Sequence, residues 1–541
     1  MPFRFRTLVR PLSLLTAAAL ALVTPVALTG PTSAAPRPHP VASGRHVVGL
    51  SPMTSSAARS TGAGGGAESQ VVETPGGLRV IGLSWPRGSI AATDRIEVRE
   101  RTGAHWGPWE EMHADDADGP DPGTRPAGTT REGTEPWITT ADAVQVRVLG
   151  PASAAAARAS LDVIDPRHSV ADVAPDSGAG AAVAAGVRPT IYSRAQWGAD
   201  ESIRTWAPSY GTIRAAVVHH TAGSNTYTAA DVPAIIRGIY VFHTLGRDWG
   251  DIGYNFLIDK FGRIWEGRYG GVDKPTIGGH AAPFNSQTYG ASVLGDFTSV
   301  TPPAAVVTAQ ARLAAWKLGL THINPTGTTV LDGKGTTPTI VGHRDLNQTS
   351  CPGTYLYGRL GAIRSQARSY QGTMVYYPAI SAGSVAYGGG GVTVTGRPTT
   401  GVTWRLTVSS VCRPDVTWST SGTASSSAPI AATWPGTLPG GSPARPGDYR
   451  VVLTATSGSS TAATDSVEYT VTVRSAAGAP ASFCPPRLEG GNRYETAVAV
   501  SRAQDPNART VVLASGEQRA MADALVAAPL ARARQGVLLL T

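Results

Sequence analysis

Three cysteines in a chain of 541 residues exclude a small disulfide-stapled scaffold, which needs several bridges in a short chain. Charge is scarce too. Asp, Glu, Lys and Arg make up 16% of the chain, and the net charge of +8 is spread without Lys/Arg blocks, which argues against a nucleic-acid partner. Beyond the first residues no apolar run is long enough to span a bilayer. Wholesale disorder is excluded in turn by a hydrophobic content of 41%. The length, with 63 Gly and 41 Pro, suggests about three or four folded units joined by irregular segments.

The opening residues carry Arg4, Arg6 and Arg10, an apolar stretch from Leu12 to Leu28, and small residues ending at Ala35. This pattern reads as a signal peptide over 1–35. Thr16, Thr24 and Pro25 interrupt a stretch already short for a membrane anchor. The mature chain is therefore expected outside the cell, secreted or associated with the cell wall, without a transmembrane anchor. An odd cysteine count in an oxidising compartment leaves one thiol to explain. Cys412 and Cys484 flank a strand-rich segment and suit a disulfide, worth about 4 kcal/mol for a loop of that length. Cys351 then remains, and an exported thiol is best kept as a thiolate by a metal.

Texture changes along the chain divide it. Residues 36–67 read as a flexible linker rich in Ala, Ser, Gly and Pro. From 68 to 165 period-two runs, with Ile96 and Val98 on one face and Val144, Val146 and Val148 on another, predict a β-rich accessory domain. Its Trp106 and Trp109 are read as core aromatics in preference to a ligand ledge. A linker follows over 166–188. Residues 189–369 mix strands with helices, the first helix carrying Val232, Ile235, Ile236, Ile239 and Tyr240 at helical spacing and the second expected to be capped by Thr301. This predicts an α/β domain with a mixed central sheet flanked by helices. Residues 372–475 alternate as a second, Ig-like β-sandwich domain. Residues 485–541 have a different texture, an α/β pattern that stops on a strand.

Two passages carry chemistry. AAVVHHTAG places His219 and His220 side by side at a strand end. Strand side chains alternate between faces, so at most one of the two serves a single site. VGHRDLNQTSCPG places Cys351 eight residues after His343, just past another predicted strand. Imidazole and thiolate are donors that zinc prefers, and three protein donors with an open fourth position are what a hydrolytic zinc needs. The unpaired thiol, the His pair and the two strand ends together point to a His, His, Cys zinc site. Glu266, beside Arg268, is set aside as a surface ion pair.

In order along the chain, IYSRAQWGA, VVHHTAG, GYNFLIDKFGRIWEGR, GGHAAPFNSQTYGASVLGDF and GHRDLNQTSCPG resemble the zinc-dependent N-acetylmuramoyl-L-alanine amidases that share a fold with peptidoglycan recognition proteins. The resemblance implies hydrolysis of the amide between N-acetylmuramic acid and L-alanine in bacterial peptidoglycan, by attack of a zinc-activated water. It implies His219, His343 and Cys351 as Zn2+ ligands, and Tyr254 as a donor to the developing oxyanion. Thr349 stands where some relatives carry lysine, and its hydroxyl donates without supplying positive charge. His280 and Asn285 match positions along the substrate groove. A peptidoglycan-binding protein of the same family that does not cut is the alternative. GGNRYETAVAVS, VVLASGE and GVLLLT resemble part of a cell-wall binding repeat, so the bacterial cell wall is the expected partner.

Overall fold

The chain is described here by a computed structural model covering residues 39–54, 65–91, 93–114, 118–122, 131–151, 153–170, 172, 186–458, 464–483, 511–514 and 537–540. The expected signal peptide lies outside these residues, as does Cys484, the expected partner of Cys412. Of the terminal repeat, two strands are described, Val511–Ala514 and Val537–Leu540, paired in parallel.

Alternating apolar residues build the first domain as an antiparallel, curled sheet. Its central path runs Arg95–Thr102, Ala143–Leu149, Gly66–Ser69, Gly44–Pro52, Ser160–Asp165 and Arg79–Pro86. Ile96, Val98, Val144, Val146 and Val148 are all buried in one core with Leu83, Trp85 and Leu161, as period-two alternation requires. The linker expected over 36–67 is corrected in part. Gly44–Pro52 is a strand paired with Ser160–Asp165 on one side and with Gly66–Ser69 on the other. Its alternation is short, with Val48 and Leu50 alone in the core, and the small residues and Pro around them hid it. The two tryptophans are also corrected. Trp106 and Trp109 are partly exposed and hold the Arg99 guanidinium, 4.6 Å from each ring centroid.

The α/β domain has a six-stranded mixed sheet in the order Ile191–Tyr192, Ile264–Glu266, Phe256–Ile258, Thr288–Val293, Ala215–His220, Ile340–Gly342. One neighbouring pair, Phe256–Ile258 with Ile264–Glu266, is antiparallel. The strand Ala215–His220 is buried on both faces and pairs in parallel with two neighbours, as expected of parallel strands covered on both sides. One face packs on the helices Ala304–Gly319 and Leu360–Gln371; the helix Val232–Val241 covers the other. Thr301 does not cap the second helix. Pro303 occupies the cap position with φ −56° and ψ 149°, since two successive prolines hold the preceding residues extended and delay the first turn.

Leu78, Val80, Ile138 and Ile164 of the first domain join the core around the helix Val232–Val241. Close approach of the two backbones is permitted by Gly238 and Gly82. A Cβ on Gly238 would stand 2.2 Å from Val80 Cγ2, and one on Gly82 would stand 2.2 Å from Phe242 Cζ. The linker expected over 166–188 is pinned at its start. The buried Arg237 donates to Pro166 O at 3.1 Å and to the Asp172 carboxylate at 2.9 and 2.6 Å.

Past residue 374, a three-stranded sheet and a five-stranded sheet enclose a core containing Val394, Leu406, Trp434, Tyr449, Val451 and Leu453. Among the described residues no helix is long and apolar enough to cross a membrane.

Candidate active site

Parallel pairing aligns strand ends. Val218 lies opposite Gly342, so His219 and His343 emerge next to each other at the carboxyl edge of the sheet, where α/β folds place their sites. Alternation separates the histidine pair. Ala215 and Val217, on the face of His219, pack with Ala281, Phe284 and Leu346. Ala216 and Val218, on the face of His220, pack with the helices on the other side.

His219, His343 and Cys351 are buried and their donor atoms lie within 4.8 Å of one another. Two imidazoles and a thiol in that reach form a group that can hold a metal ion. Cys351 Sγ is 3.7 Å from His219 Nδ1 and accepts from the backbone N–H of His220 at 3.4 Å. His220 thus contributes its main chain to the site while its ring turns away. That ring accepts from the Phe297 N–H at 3.2 Å and stands 3.5 Å from Asp296. Its partners belong to the loop after the strand Thr288–Val293 and not to the edge of a covering helix, which strand alternation alone suggests.

Around this group the other expected residues take definite places. His280 Nδ1 is 3.0 Å from His219 Nε2, with the rings at 83°. This contact leaves Nδ1 of His219 turned toward Cys351 and gives His280 an orienting part through His219. The His280 ring sits against Gly290, where a Cβ would come within 2.4 Å of it. Asn285 Oδ1 accepts from the backbone N–H groups of His280 and Ala281 at 2.7 and 3.0 Å, fixing that turn. Thr349 Oγ1 accepts from the Cys351 N–H at 3.2 Å. Its hydroxyl holds the cysteine turn and also lines a cavity of ≈ 290 Å³ with Cys351, His220, His113 and Glu135. Tyr254 is fully buried, its ring 5.5 Å from that of His219. Glu266 is not the surface ion pair expected of it: it accepts from the Arg194 backbone N–H at 3.3 Å, while the buried Arg268 donates to Ile252 O; it is not part of the metal-capable group.

Burial pushes the His219 imidazole well below its ordinary pKa, and the neighbouring His343, His280 and His220 add to the effect. Burial likewise takes His280 down to about 3, with His343 and Arg268 contributing. For His220 burial wins over the opposing pull of Asp296 and leaves it at about 4. These rings are neutral near pH 7, the form that ligates a metal.

Two site residues come from the first domain and escape sequence reasoning. Tyr254 Oη donates to Asp118 Oδ2 at 3.2 Å and lies 3.4 Å from Glu135 Oε2. Asp118 Oδ1 is 3.5 Å from His343 Nε2. No local pattern marks Asp118, which sits in DGPD, a turn-like tetrapeptide 136 residues from Tyr254.

Comparison with known proteins places this geometry. Residues 209–354 match the N-acetylmuramoyl-L-alanine amidase family. Residues 38–169 match a family described as Rv3811 N-terminal galactose-binding domain-like, and residues 487–541 match cell wall binding domain 2. Peptidoglycan-recognition protein SC2 of Drosophila simulans is 33% identical over 172 residues, which is 32% of this chain and 84% of that protein. Peptidoglycan recognition protein 1 of Bos taurus is 34% identical over 169 residues, 31% of this chain and 80% of that protein. Among solved structures, wild-type Drosophila PGRP-LB is similar at 28% identity, covering 32% of this chain and 93% of that one with a TM-score of 0.27. The endolysin N-acetylmuramoyl-L-alanine amidase LysCS of Clostridium intestinale is similar at 23% identity, 33% and 96% coverage, and a TM-score of 0.25. The chain belongs to the peptidoglycan recognition protein family, as an amidase-type member that also carries a C-terminal cell-wall binding repeat.

Proposed function

We propose that this protein is a zinc-dependent N-acetylmuramoyl-L-alanine amidase that acts on peptidoglycan outside the cell. The observation that carries the reading is the buried His219, His343 and Cys351 group with donor atoms within 4.8 Å. Nitrogen and sulfur donors suit zinc, and three of them suit a hydrolytic site. When bound there, Zn2+ supplies Lewis acidity that polarises an amide carbonyl and acidifies water.

The residues of the chain do the rest. His280 holds the His219 ring, and Thr349 holds the Cys351 turn. Tyr254 Oη, at the edge of the group, donates a hydrogen bond to the substrate carbonyl oxygen as negative charge develops on it. Thr349 brings a hydroxyl to the cavity beside Cys351 but no positive charge, so among the side chains oxyanion stabilisation leans on Tyr254. His280 and Asn285 border the groove in which the muramyl peptide lies. The signal peptide over 1–35 exports the chain, the terminal repeat holds it at the wall, and Cys412 pairs with Cys484, leaving Cys351 for the metal.

The test is digestion of defined peptidoglycan by the purified chain. New amino ends on L-alanine are expected, lost on chelation and restored by zinc. Replacing His219 by Ala is expected to remove both the zinc and the turnover, at least about a hundredfold. New reducing sugar ends, or full turnover after zinc removal, overturn the reading. Binding of muramyl peptide without any cleavage makes the chain a recognition protein.

A further inference from the structure

The segment 118–122 packs on the turn that carries His280 and Asn285. Its Gly119 N–H donates to Gly279 O at 3.1 Å, and its Gly119 O accepts from Asn285 Nδ2 at 2.8 Å. Asp121 takes the Asn285 side-chain and backbone donors at 2.6 and 3.2 Å and the Ser286 N–H at 3.1 Å. Asp118, 3% exposed, places one carboxylate oxygen 3.5 Å from His343 Nε2 and the other 3.2 Å from Tyr254 Oη. A segment of the first domain therefore engages the outward donors of Asn285, the Tyr254 hydroxyl and one ligand of the metal group at once.

We infer that the first domain is an intramolecular inhibitor of the site, with Asp118 holding the Tyr254 hydroxyl and standing against His343, and residues 118–122 in the place of substrate. This rests on the amidase reading given above. Charge supports it. A buried carboxylate 3.5 Å from His343 Nε2 offsets positive charge at the site, and it is that excess which acidifies a bound water. A general base would stand beside the groove and leave the Tyr254 hydroxyl to the substrate. Asp118 takes that hydroxyl for itself, and the residues following it take the groove. Muramyl peptide enters when the segment leaves, so the measured affinity is reduced by the fraction of molecules that are open.

The test uses the full chain loaded with zinc, with Asp118→Asn and Asp121→Ala as variants. The first removes the carboxylate charge that faces Tyr254 and His343. The second loosens the segment without touching His343 or Tyr254, and it decides the matter if the first does not fold. Turnover of a muramyl pentapeptide and the rate at which a chelator strips zinc are both measured. Asp118→Asn is expected to raise both by about tenfold or more, as release of a mostly closed population requires. Asp121→Ala is expected to raise turnover by a smaller factor. Variants that bind the muramyl peptide more tightly and lose zinc faster, with no cleavage by any form, keep the inhibitor and discard the amidase. Unchanged turnover and zinc release in both variants discard the inhibitor and keep the amidase. A fall in turnover for Asp118→Asn overturns the inference and makes Asp118 a catalytic group.

Discussion

The two β domains on either side of the α/β domain are attached in different ways. The first shares a core with the helix Val232–Val241 through Leu78, Val80, Ile138 and Ile164 and sends Asp118 and Glu135 to Tyr254. The second closes around its own residues, with Trp434 and Leu453 fully or almost fully buried inside it. Its polar ties to the α/β domain lie at the junction, where the Tyr377 N–H donates to His322 O at 3.1 Å and Tyr376 Oη donates to Gln371 at 2.5 Å. A domain with a private core is an appendage that folds and unfolds by itself. A domain that lends apolar residues to its neighbour is part of that neighbour's stability and, here, of its site.

Breaking the first attachment is expected to cost most. Arg237 is 1% exposed and clamps Asp172, 6% exposed, with two charge-assisted hydrogen bonds. It also donates to the carbonyls of Pro166 and Trp197. Arg237→Ala leaves a buried carboxylate and these carbonyls without their donor, a loss of about 3–5 kcal/mol. Chemical denaturation is expected to show the first domain and the α/β domain losing stability together. An unfolding transition for the α/β domain that stays at its wild-type midpoint breaks the claim that the two are one unit.

Damage inside the second domain is expected to remain there. Leu453→Ala empties a site that is 1% exposed in the sandwich core and costs about 2–5 kcal/mol. Calorimetry is expected to show one transition falling in temperature while the other holds, with zinc content and turnover unchanged. A drop in turnover, or a single shifted transition, removes the distinction between the two attachments.

How much of this could be read before folding follows from the range of the forces involved. His219, His343 and Cys351 sit in motifs where strand alternation and ligand spacing act over a few residues, and the structure brings the three together. The helix Val232–Val241 shows its periodicity directly, and each of the residues expected to be buried is buried. Gly44–Pro52 was hidden because only Val48 and Leu50 mark its alternation, and its two partner strands supply the rest of the reason it is extended. Asp118 and Glu135 were hidden for a stronger reason: they reach Tyr254 across 136 and 119 residues, and only the docking of one domain on another creates that proximity. Arg237 reads as the polar member of an apolar helix, yet its partners in Pro166 and Asp172 give it a clamp that helical periodicity does not show.

The smallest effect lies in the pair of adjacent histidines and tests the comparison at the scale of one strand. His219 faces the core that leads to the metal group, and His220 faces the core of the opposite helices. The His220 ring accepts the Phe297 N–H at 3.2 Å and is 1% exposed. In His220→Ala that buried donor loses its acceptor, a cost of about 1–3 kcal/mol. The main-chain N–H of residue 220 still reaches Cys351 Sγ, because the contact at 3.4 Å belongs to the backbone. Zinc content is therefore expected to stay near that of the wild type while thermal stability falls, the reverse of His219→Ala, in which metal is lost. Metal analysis of the two purified variants decides the matter. Loss of zinc from His220→Ala equal to that from His219→Ala shows that the two faces of the strand are coupled through the Cys351 turn and do not act separately.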